Sequence, residues 1–302
     1  MDANKGDAEM DSRYINPYTD FGFKKIFGEE ANKNLLVDFL NSILPENYRV
    51  ETLELRPTEQ LPDSFVDRKA IFDIACISPN GERFIVEMQK AKQKWFKDRA
   101  LFSVTFPIRD QALRGEWDFQ LQAIYFVAVL DFLYDEEEEA QMFHRDVTLK
   151  DQDGHLFYDK LHFHFLQMPL FTKAESELVT RKDKWCYFLK NLINFDQIPS
   201  IFREPIFEQA FATAEVARMN RDELSQYDAN LMIYNTNFAV METAIEEATE
   251  KAMAEGVAKG MAEGRTAEKI EIARNMKEKG LDTVLIAEMT GLSPEEIEQI
   301  RW

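Results

Sequence analysis

Cysteines and long apolar runs are both scarce in this 302-residue chain. Only Cys76 and Cys186 occur, each inside an apolar stretch. Two such thiols exclude a disulfide scaffold, and we expect them to be reduced core residues of a cytoplasmic protein. No apolar run approaches the roughly 20 residues that cross a bilayer, so no membrane segment is expected. The first residues, MDANKGDAEMDSRY, lack an apolar core and do not predict a secretory signal.

Positive charge is also in short supply. The 36 basic residues face 55 acidic ones, which gives a net charge of −19. This balance argues against non-specific binding to nucleic acid. One segment, residues 87–99, is locally basic and is a candidate for holding a polyanion. Its basic residues are Lys90, Lys92, Lys94, Lys97 and Arg99.

The composition that is present, 45% hydrophobic and 30% charged, is typical of a soluble globular protein. At about 150 residues per domain, the length indicates one large domain or a domain with an appendage. Residues 1–13 are polar and predict a flexible tail. The patterns then predict an α/β domain over 14–198 and an all-helical arm over 199–302, with the boundary at Ile198-Pro199.

Local patterns place the elements of the first domain. Thr19 and Asp20 are suited to cap a helix, and residues 20–44 predict two short helices or one broken helix. Phe21, Phe23 and Phe27 are interpreted as core residues rather than a platform for stacking bases. Strands are predicted near 50–55, 71–77, 84–89, 123–130 and 161–168, and a helix over 96–114.

The most informative pattern is a predicted hairpin around Pro79-Asn80-Gly81. A three-residue loop would pair Ser78 with Glu82, and counting back along both strands places Asp73 opposite Glu87. Gln89 shares the face of Glu87 because side chains alternate along a strand. A two-residue loop would instead put the two carboxylates on opposite faces.

Facing carboxylates in an apolar setting repel each other, and their burial is unfavourable. A hard divalent cation relieves that repulsion, and oxygen ligands suit Mg²⁺ or Mn²⁺. The alternative is that Asp73 and Glu87 lie on the solvated face of an antiparallel sheet. The basic run after Gln89 favours the metal hypothesis, since metal-assisted phosphodiester cleavage combines a metal ion with a positively charged flank that holds the phosphates.

The combination resembles a known nuclease core. Asp73 followed by Glu87-Met88-Gln89 is similar to the PD-(D/E)xK motif, with glutamine where the motif has lysine. The chain more specifically resembles the recombination-promoting nuclease family of transposase-like proteins, from about residue 14 onward. The motifs that carry the resemblance are TDFGFKKIF at 19–27, DRKAIFD at 67–73, FIVEMQ at 84–89, DRAL at 98–101, WCYFL at 185–189 and MTGLSPEEI at 289–297.

The resemblance implies a mixed sheet flanked by helices and a metal-dependent DNA endonuclease linked to mobile elements. It implies that Asp73, Glu87 and the backbone carbonyl of Met88 hold the metal. Gln89 would hydrogen-bond the attacking water, although it carries no charge.

Further roles follow from the same resemblance. Lys69, Lys90 or Lys92 would replace the missing lysine charge, with Lys90 on the opposite face of its strand. Asp20 matches an acidic contribution from the first helix, and Gln111 a polar position on the helix after the core. Lys90, Lys94, Lys97 and Arg99 are candidate DNA contacts.

Three other patterns leave alternatives open. His162 and His164 share one face of a strand; a surface pair is favoured over a transition-metal site because no third ligand is evident. Gly256, Gly260 and Gly264 recur every four residues, which indicates either a weak helical linker or a helix–helix contact in a homo-oligomer. The last residues fit helix-turn-helix spacing, but the acidic second helix favours a hairpin that packs or self-associates.

We therefore expect a Mg²⁺- or Mn²⁺-dependent DNA endonuclease that forms homo-oligomers through its C-terminal helices. No P-loop or GxGxxG motif occurs, so no nucleotide cofactor is expected. The second hypothesis is a catalytically degenerate nuclease fold that binds DNA or protein. The residues do not distinguish DNA from RNA as the substrate.

Overall fold

A computed structural model describes residues 12–45, 48–60, 70–92, 94–112, 119–134 and 142–300. The chain divides into two compact units, which meet in sequence between Tyr234 and Asn235. Most of the expected tail over 1–13 lies outside the described residues, although Arg13 is described and pairs with Glu215 at 2.7 Å. The domain division expected at residue 198 stays a prediction.

The elements are numbered in chain order. The helices are α1 Asp20–Phe27, α2 Lys33–Ile43, α3 Phe96–Arg109, α4 Arg181–Asn191, α5 Pro205–Ala214, α6 Arg221–Glu278, α7 Thr283–Thr290 and α8 Pro294–Gln299. The strands are β1 Glu54–Arg56, β2 Glu59–Gln60, β3 Ala70–Ile71, β4 Ile74–Ile77, β5 Arg83–Gln89, β6 Ile124–Leu130, β7 His144–Lys150 and β8 Leu156–Gln167.

A six-stranded mixed sheet organises the first unit, in the order β1-β4-β5-β6-β8-β7. The β5–β6 and β6–β8 pairs are parallel, and the other three pairs are antiparallel. Strands β2 and β3 form a separate two-stranded ribbon. Every residue of β6 is buried, as expected for a central strand covered on both faces.

Helices cover the two faces of this sheet unequally. One face packs on α1, α2, α4 and α5 through aromatic side chains such as Phe27, Trp185 and Phe207. The other face packs on α3 through Phe96 and Val104. The predicted α/β core with a helical extension is confirmed, and β5 presents alternate residues to two different environments.

Several local predictions are confirmed. Thr19 caps α1, since its hydroxyl accepts a hydrogen bond from the Gly22 N–H at 2.9 Å. Phe23 and Phe27 are fully buried, so their core role is confirmed. Cys76 and Cys186 are both buried and free.

The interpretation of His162 and His164 as a surface pair is wrong. Both residues are buried on β8, and the His162 ring stacks on Tyr125 with centroids 4.9 Å apart. The reason is β7, an edge strand that sequence reasoning did not predict and that pairs with β8. Every residue of β7 is half-buried or exposed and the two kinds do not alternate regularly, so the apolar signal of a strand is faint.

Helices alone form the described part of the second unit. The end of α6 packs with α7 and α8 around a small core of Ala273, Ile286, Leu292 and Ile297. Gly291 ends α7 in the left-handed region, with φ of 67°, and Ser293 caps α8. Among the described residues, no helix has both the length and the apolar character needed to cross a membrane.

Candidate active site

The β4–β5 hairpin sets the geometry of the candidate site. The N–H of Ser78 donates to the carbonyl of Glu82 at 2.9 Å, and Gly81 closes the turn with φ of 88°. Ile74 pairs with Val86, so the preceding residue, Asp73, faces Glu87. The register expected for a three-residue loop is confirmed, and Asp73 lies close enough to Glu87 to raise its pKa.

Asp73 lies directly before β4 and is bonded to the facing strand. Its Oδ2 accepts a hydrogen bond from the backbone N–H of Met88 at 2.7 Å. Burial raises the pKa of Asp73, and the nearby Asp20 carboxylate adds to the rise. The Met88 bond and the charges of Lys24 and Lys90 oppose it.

Glu87 is the most strongly perturbed acid of the pair. Its exposed fraction is only 8%. Burial, followed by repulsion from Asp73, raises the pKa of Glu87 to about 7. Gln89 donates its amide to Glu87 Oε2 at 2.9 Å, and this bond and the charge of Arg99 partly offset the rise. The pair therefore favours a bound proton or a bound cation.

Helix α1 brings a third carboxylate to this site. Asp20 and Lys24 form an ion pair at 2.8 Å and line the same cleft as Asp73. The expected acidic contribution from the first helix is thus placed beside Asp73. Lys24 was missed by sequence reasoning; its position four residues after Asp20, on the same helix face, was the available signal.

On the α3 side, Glu87 and Gln89 open into a groove with Asp98 and Arg99. The positive charge of the Arg99 guanidinium lowers the pKa of Glu87. Sequence reasoning identified Arg99 only as a DNA contact. Its closeness to Glu87 comes from the packing of α3, which no local pattern reveals.

The basic segment follows β5 and leads into α3. The Nζ of Lys94 lies 5.4 Å from the ring centroid of Trp95, whose exposed fraction is 68%. Lys97 lies over Tyr134 at 5.6 Å, and Lys92 lines the same surface depression. This combination of lysines and an exposed indole is suited to a nucleic acid strand.

Three further predicted residues have different outcomes. Gln111 hydrogen-bonds the backbone of Gln122, near the start of β6, whereas Glu87 pairs with Ala128 near its end, so the structure does not bring Gln111 to the acids. Lys90 lies 4.1 Å from the Tyr234 ring and is still close enough to Asp73 to lower the pKa of that acid. Lys69 lies outside the described residues.

The donor set fits a hard divalent cation. Asp73 and Glu87 supply carboxylate oxygens, and Asp20 lies close enough to influence the pKa of Asp73. Buried, mutually repelling carboxylates are stabilised by a divalent charge between them. Oxygen ligands without nitrogen or sulfur match Mg²⁺ and Mn²⁺ rather than zinc or copper.

A mixed sheet with Asp73 opposite Glu87-Met88-Gln89 on an antiparallel hairpin defines a nuclease-type core. The chain belongs to the family described as PD-(D/E)XK nuclease family transposase, whose model matches residues 17–244. The expected family is confirmed by this match and by the one at the C-terminus. No curated protein matches the chain, and no solved structure matches it.

The C-terminal match corrects one interpretation. Residues 266–301 match a model described as Rpn/YhgA-like nuclease family, C-terminal HTH domain. We expected a helical hairpin rather than a helix-turn-helix, because α8 carries Glu295, Glu296 and Glu298 and no basic residue. That prediction was wrong because it relied on the acidic charge of one helix. The fold of this region depends instead on the apolar core around Ile286 and Ile297.

Proposed function

We propose that this protein is a metal-dependent endonuclease that hydrolyses phosphodiester bonds in DNA, in recombination or in the movement of mobile elements. The observation that carries the proposal is the half-buried Asp73 beside the buried Glu87, brought together by the register of the hairpin. The family match supports a nuclease role. The free, buried cysteines favour a cytoplasmic setting.

Asp73, Glu87 and the backbone carbonyl of Met88 are the proposed ligands of one Mg²⁺ or Mn²⁺ ion. When bound, this ion neutralises phosphate charge and lowers the pKa of a water molecule. Glu87 must lose its proton before it can act as a ligand. Gln89 holds Glu87 through its amide N–H, and the oxygen of an amide side chain can accept a hydrogen bond from the attacking water.

The charge that the motif lysine supplies elsewhere is assigned to helices on either side of the pair. Arg99 lies on the Glu87 side and Lys24 on the Asp73 side. A phosphate between them would meet one positive charge from each helix. We assign DNA contacts to Lys94, Lys97 and Trp95, which continue the positive surface from the same groove.

Self-association through α6 is part of the proposal. Met253, Val257 and Met261 are exposed on this helix beside the stripe of Gly256, Gly260 and Gly264. Apolar side chains beside small residues allow two helices to approach closely. A second copy of the chain would cover them.

The test is nicking of supercoiled plasmid by purified protein with Mg²⁺, Mn²⁺ or EDTA. We expect cleavage with either metal and at least a hundredfold loss of rate in Glu87→Ala and Asp73→Ala. Glu54→Gln, at an exposed position on the edge strand β1, is the matched control and should cleave normally. Unchanged cleavage in Glu87→Ala would refute the assignment, and a parallel assay on RNA of equal length identifies the substrate.

A second candidate function is a degenerate nuclease fold that binds DNA without cutting it. The observation that favours it is Gln89, which places no charge where the motif has lysine. Calorimetric titration with Mn²⁺ separates the two functions. A catalytic site should bind Mn²⁺ in wild-type protein but not in Glu87→Ala, whereas a degenerate fold should bind DNA equally well in both and Mn²⁺ in neither.

A further inference from the structure

Two histidines and one aspartate, side chains of types that can bind metal ions, converge on the sheet face opposite Glu87. His144 and Asp146 are two residues apart on β7 and so share a face, and Asp146 pairs directly with His164 on β8. His164 lies in line with Val127 and Val86, whereas Glu87 lies in line with Ala128 and Phe165 on the other face. The cluster is therefore separate from the candidate active site.

Both imidazoles approach one carboxylate oxygen. His164 Nδ1 lies 2.6 Å from Asp146 Oδ1, and His144 Nε2 lies 2.8 Å from the same atom. All three potential ligand atoms lie within 4.8 Å of one another. Ligands around tetrahedral zinc, with bonds of about 2.0 to 2.1 Å, lie about 3.3 Å apart, so small rotamer adjustments would make room for an ion.

The hydrogen bonding of the cluster is incomplete. His144 Nε2 is buried and has no hydrogen-bond partner among the described residues, although Asp146 Oδ1 is close to it. The distance from His144 Nε2 to Asp146 Oδ1 is that of a hydrogen bond, but the angle at the two atoms is not. A buried polar atom without a partner is unusual in a native structure. A cation between the nitrogen and the carboxylate would satisfy both.

Lys182 of α4 faces the cluster and competes with such a cation. Its Nζ lies 2.9 Å from His144 Nδ1, so in this arrangement the ammonium group donates to Nδ1. Coordination through Nε2 requires the proton to sit on Nδ1, and Lys182 then has to swing away on its flexible stem. Lys182 is only partly buried, which leaves room for that movement.

We propose that His144, Asp146 and His164 form a second metal site, which takes a transition-metal ion of the zinc type and ties the edge strand β7 to β8. Two imidazole nitrogens and one carboxylate oxygen suit Zn²⁺, Co²⁺ or Ni²⁺, whereas Mg²⁺ prefers oxygen ligands alone. The Asp146 side chain is more than half exposed, so the fourth position opens toward solvent and takes a water molecule or a small anion.

A neighbouring cluster serves as the control. Asp151, Asp153 and His155 also lie within 4.8 Å of one another, but all three are exposed on the β7–β8 turn. Asp151 Oδ1 already accepts hydrogen bonds from the backbone N–H groups of Asp153 and His155, which accounts for the arrangement without a metal.

The test is zinc binding by the purified full-length protein, measured after dialysis by elemental analysis and supported by Co²⁺ absorption in the visible range. We expect one zinc per chain at the cluster in wild-type protein and none there in Asp146→Ala. Asp146 is partly exposed, so we expect this variant to fold. Asp151→Ala and Glu87→Ala should keep that zinc. Wild-type protein that binds no zinc, or Asp146→Ala that binds as much as wild type, would overturn the proposal.

Lys182→Ala gives an independent readout. Removing the competing ammonium group should tighten zinc binding by about tenfold and increase the zinc-induced rise in Tm. If the three residues and Lys182 form only an ion-paired network, the same variant should lower Tm and leave zinc binding unchanged. That second result would count against the metal site even if the protein binds zinc elsewhere.

Discussion

Glu87 links the site to pH at the scale of a single residue. Its pKa is raised to about 7 in the folded protein, above the value of 4.5 that is ordinary for glutamate, so the folded state holds a proton that the unfolded state releases. The stability that the neutral form contributes is present below pH 4.5 and lost as the pH rises through 7. In EDTA, we expect wild-type protein to lose about 2.5 kcal/mol of unfolding free energy between pH 5 and pH 8.

Urea unfolding of Glu87→Gln at both pH values checks this prediction. The neutral amide cannot ionise, so most of the pH-dependent loss should disappear. Mn²⁺ at pH 8 should restore stability to wild-type protein and not to the variant. Equal losses in both proteins would contradict the burial of an ionisable group at this position.

The sequence was sufficient to locate the two acids but not the groups that tune them. Asp73 and Glu87 lie on a hairpin whose three-residue loop fixes the register, so counting residues was enough. Arg99 reaches Glu87 through the packing of α3, which leaves no local spacing to read. Lys24 reaches Asp73 through the packing of α1, and its only local signal was its position four residues after Asp20. Gln111 is the opposite case. The sequence predicted a polar residue there for the site, but its side chain accepts a hydrogen bond from the Gln122 N–H instead.

At the scale of an element, α1 depends on one hydroxyl group. Thr19 Oγ1 accepts from the Gly22 N–H and donates to the Asn16 carbonyl at 2.7 Å. Thr19→Ala should lower the unfolding free energy by about 1 to 2 kcal/mol. It should also reduce plasmid nicking, because Asp20 and Lys24 lie on the turns that the cap fixes.

Thr19→Ser is the matched variant for this experiment. It keeps the hydroxyl group, so urea unfolding and nicking should both stay closer to wild type than in Thr19→Ala. If the serine variant loses as much as the alanine variant, the buried methyl group rather than the cap stabilises this helix start.

Buried strands were easier to predict from the sequence than exposed ones. Strand β6 is buried throughout and was evident as an apolar run, whereas β7 is a half-exposed edge and was missed. The missed strand is also what buries His164 and supplies His144 and Asp146. A pair of histidines on one strand therefore looked like a surface feature until its neighbour was known.

At the scale of the whole molecule, the glycine stripe of α6 tests self-association. Apart from the adjacent residues and the backbone of its own helix, no described atom lies within 4 Å of a Cβ built at Gly260, so a larger side chain has room there. Gly260→Leu should weaken self-association by at least tenfold in sedimentation velocity, because the side chain would hold two helices apart. The helix itself should be more stable, since leucine is a better helix former than glycine.

Ala258→Leu is the control, since residue 258 faces away from the stripe of residues 256, 260 and 264. It should sediment like wild-type protein. If both variants sediment like wild type, the stripe is a weak helical linker and not a helix–helix contact in a homo-oligomer.

The loop between β4 and β5 also has a consequence for the order of folding. Hairpins with short loops close in about 1 to 10 μs, well before contacts between distant segments form. Asp73 and Glu87 therefore meet while both are still hydrated, and β6 and α3 cover them later. The late step has to desolvate two like charges, so protons and divalent cations should speed the final docking of the hairpin. The pair of Asp73 and Glu87, which we assign to catalysis, would then also control a late folding step, in which the hairpin docks against β6 and α3.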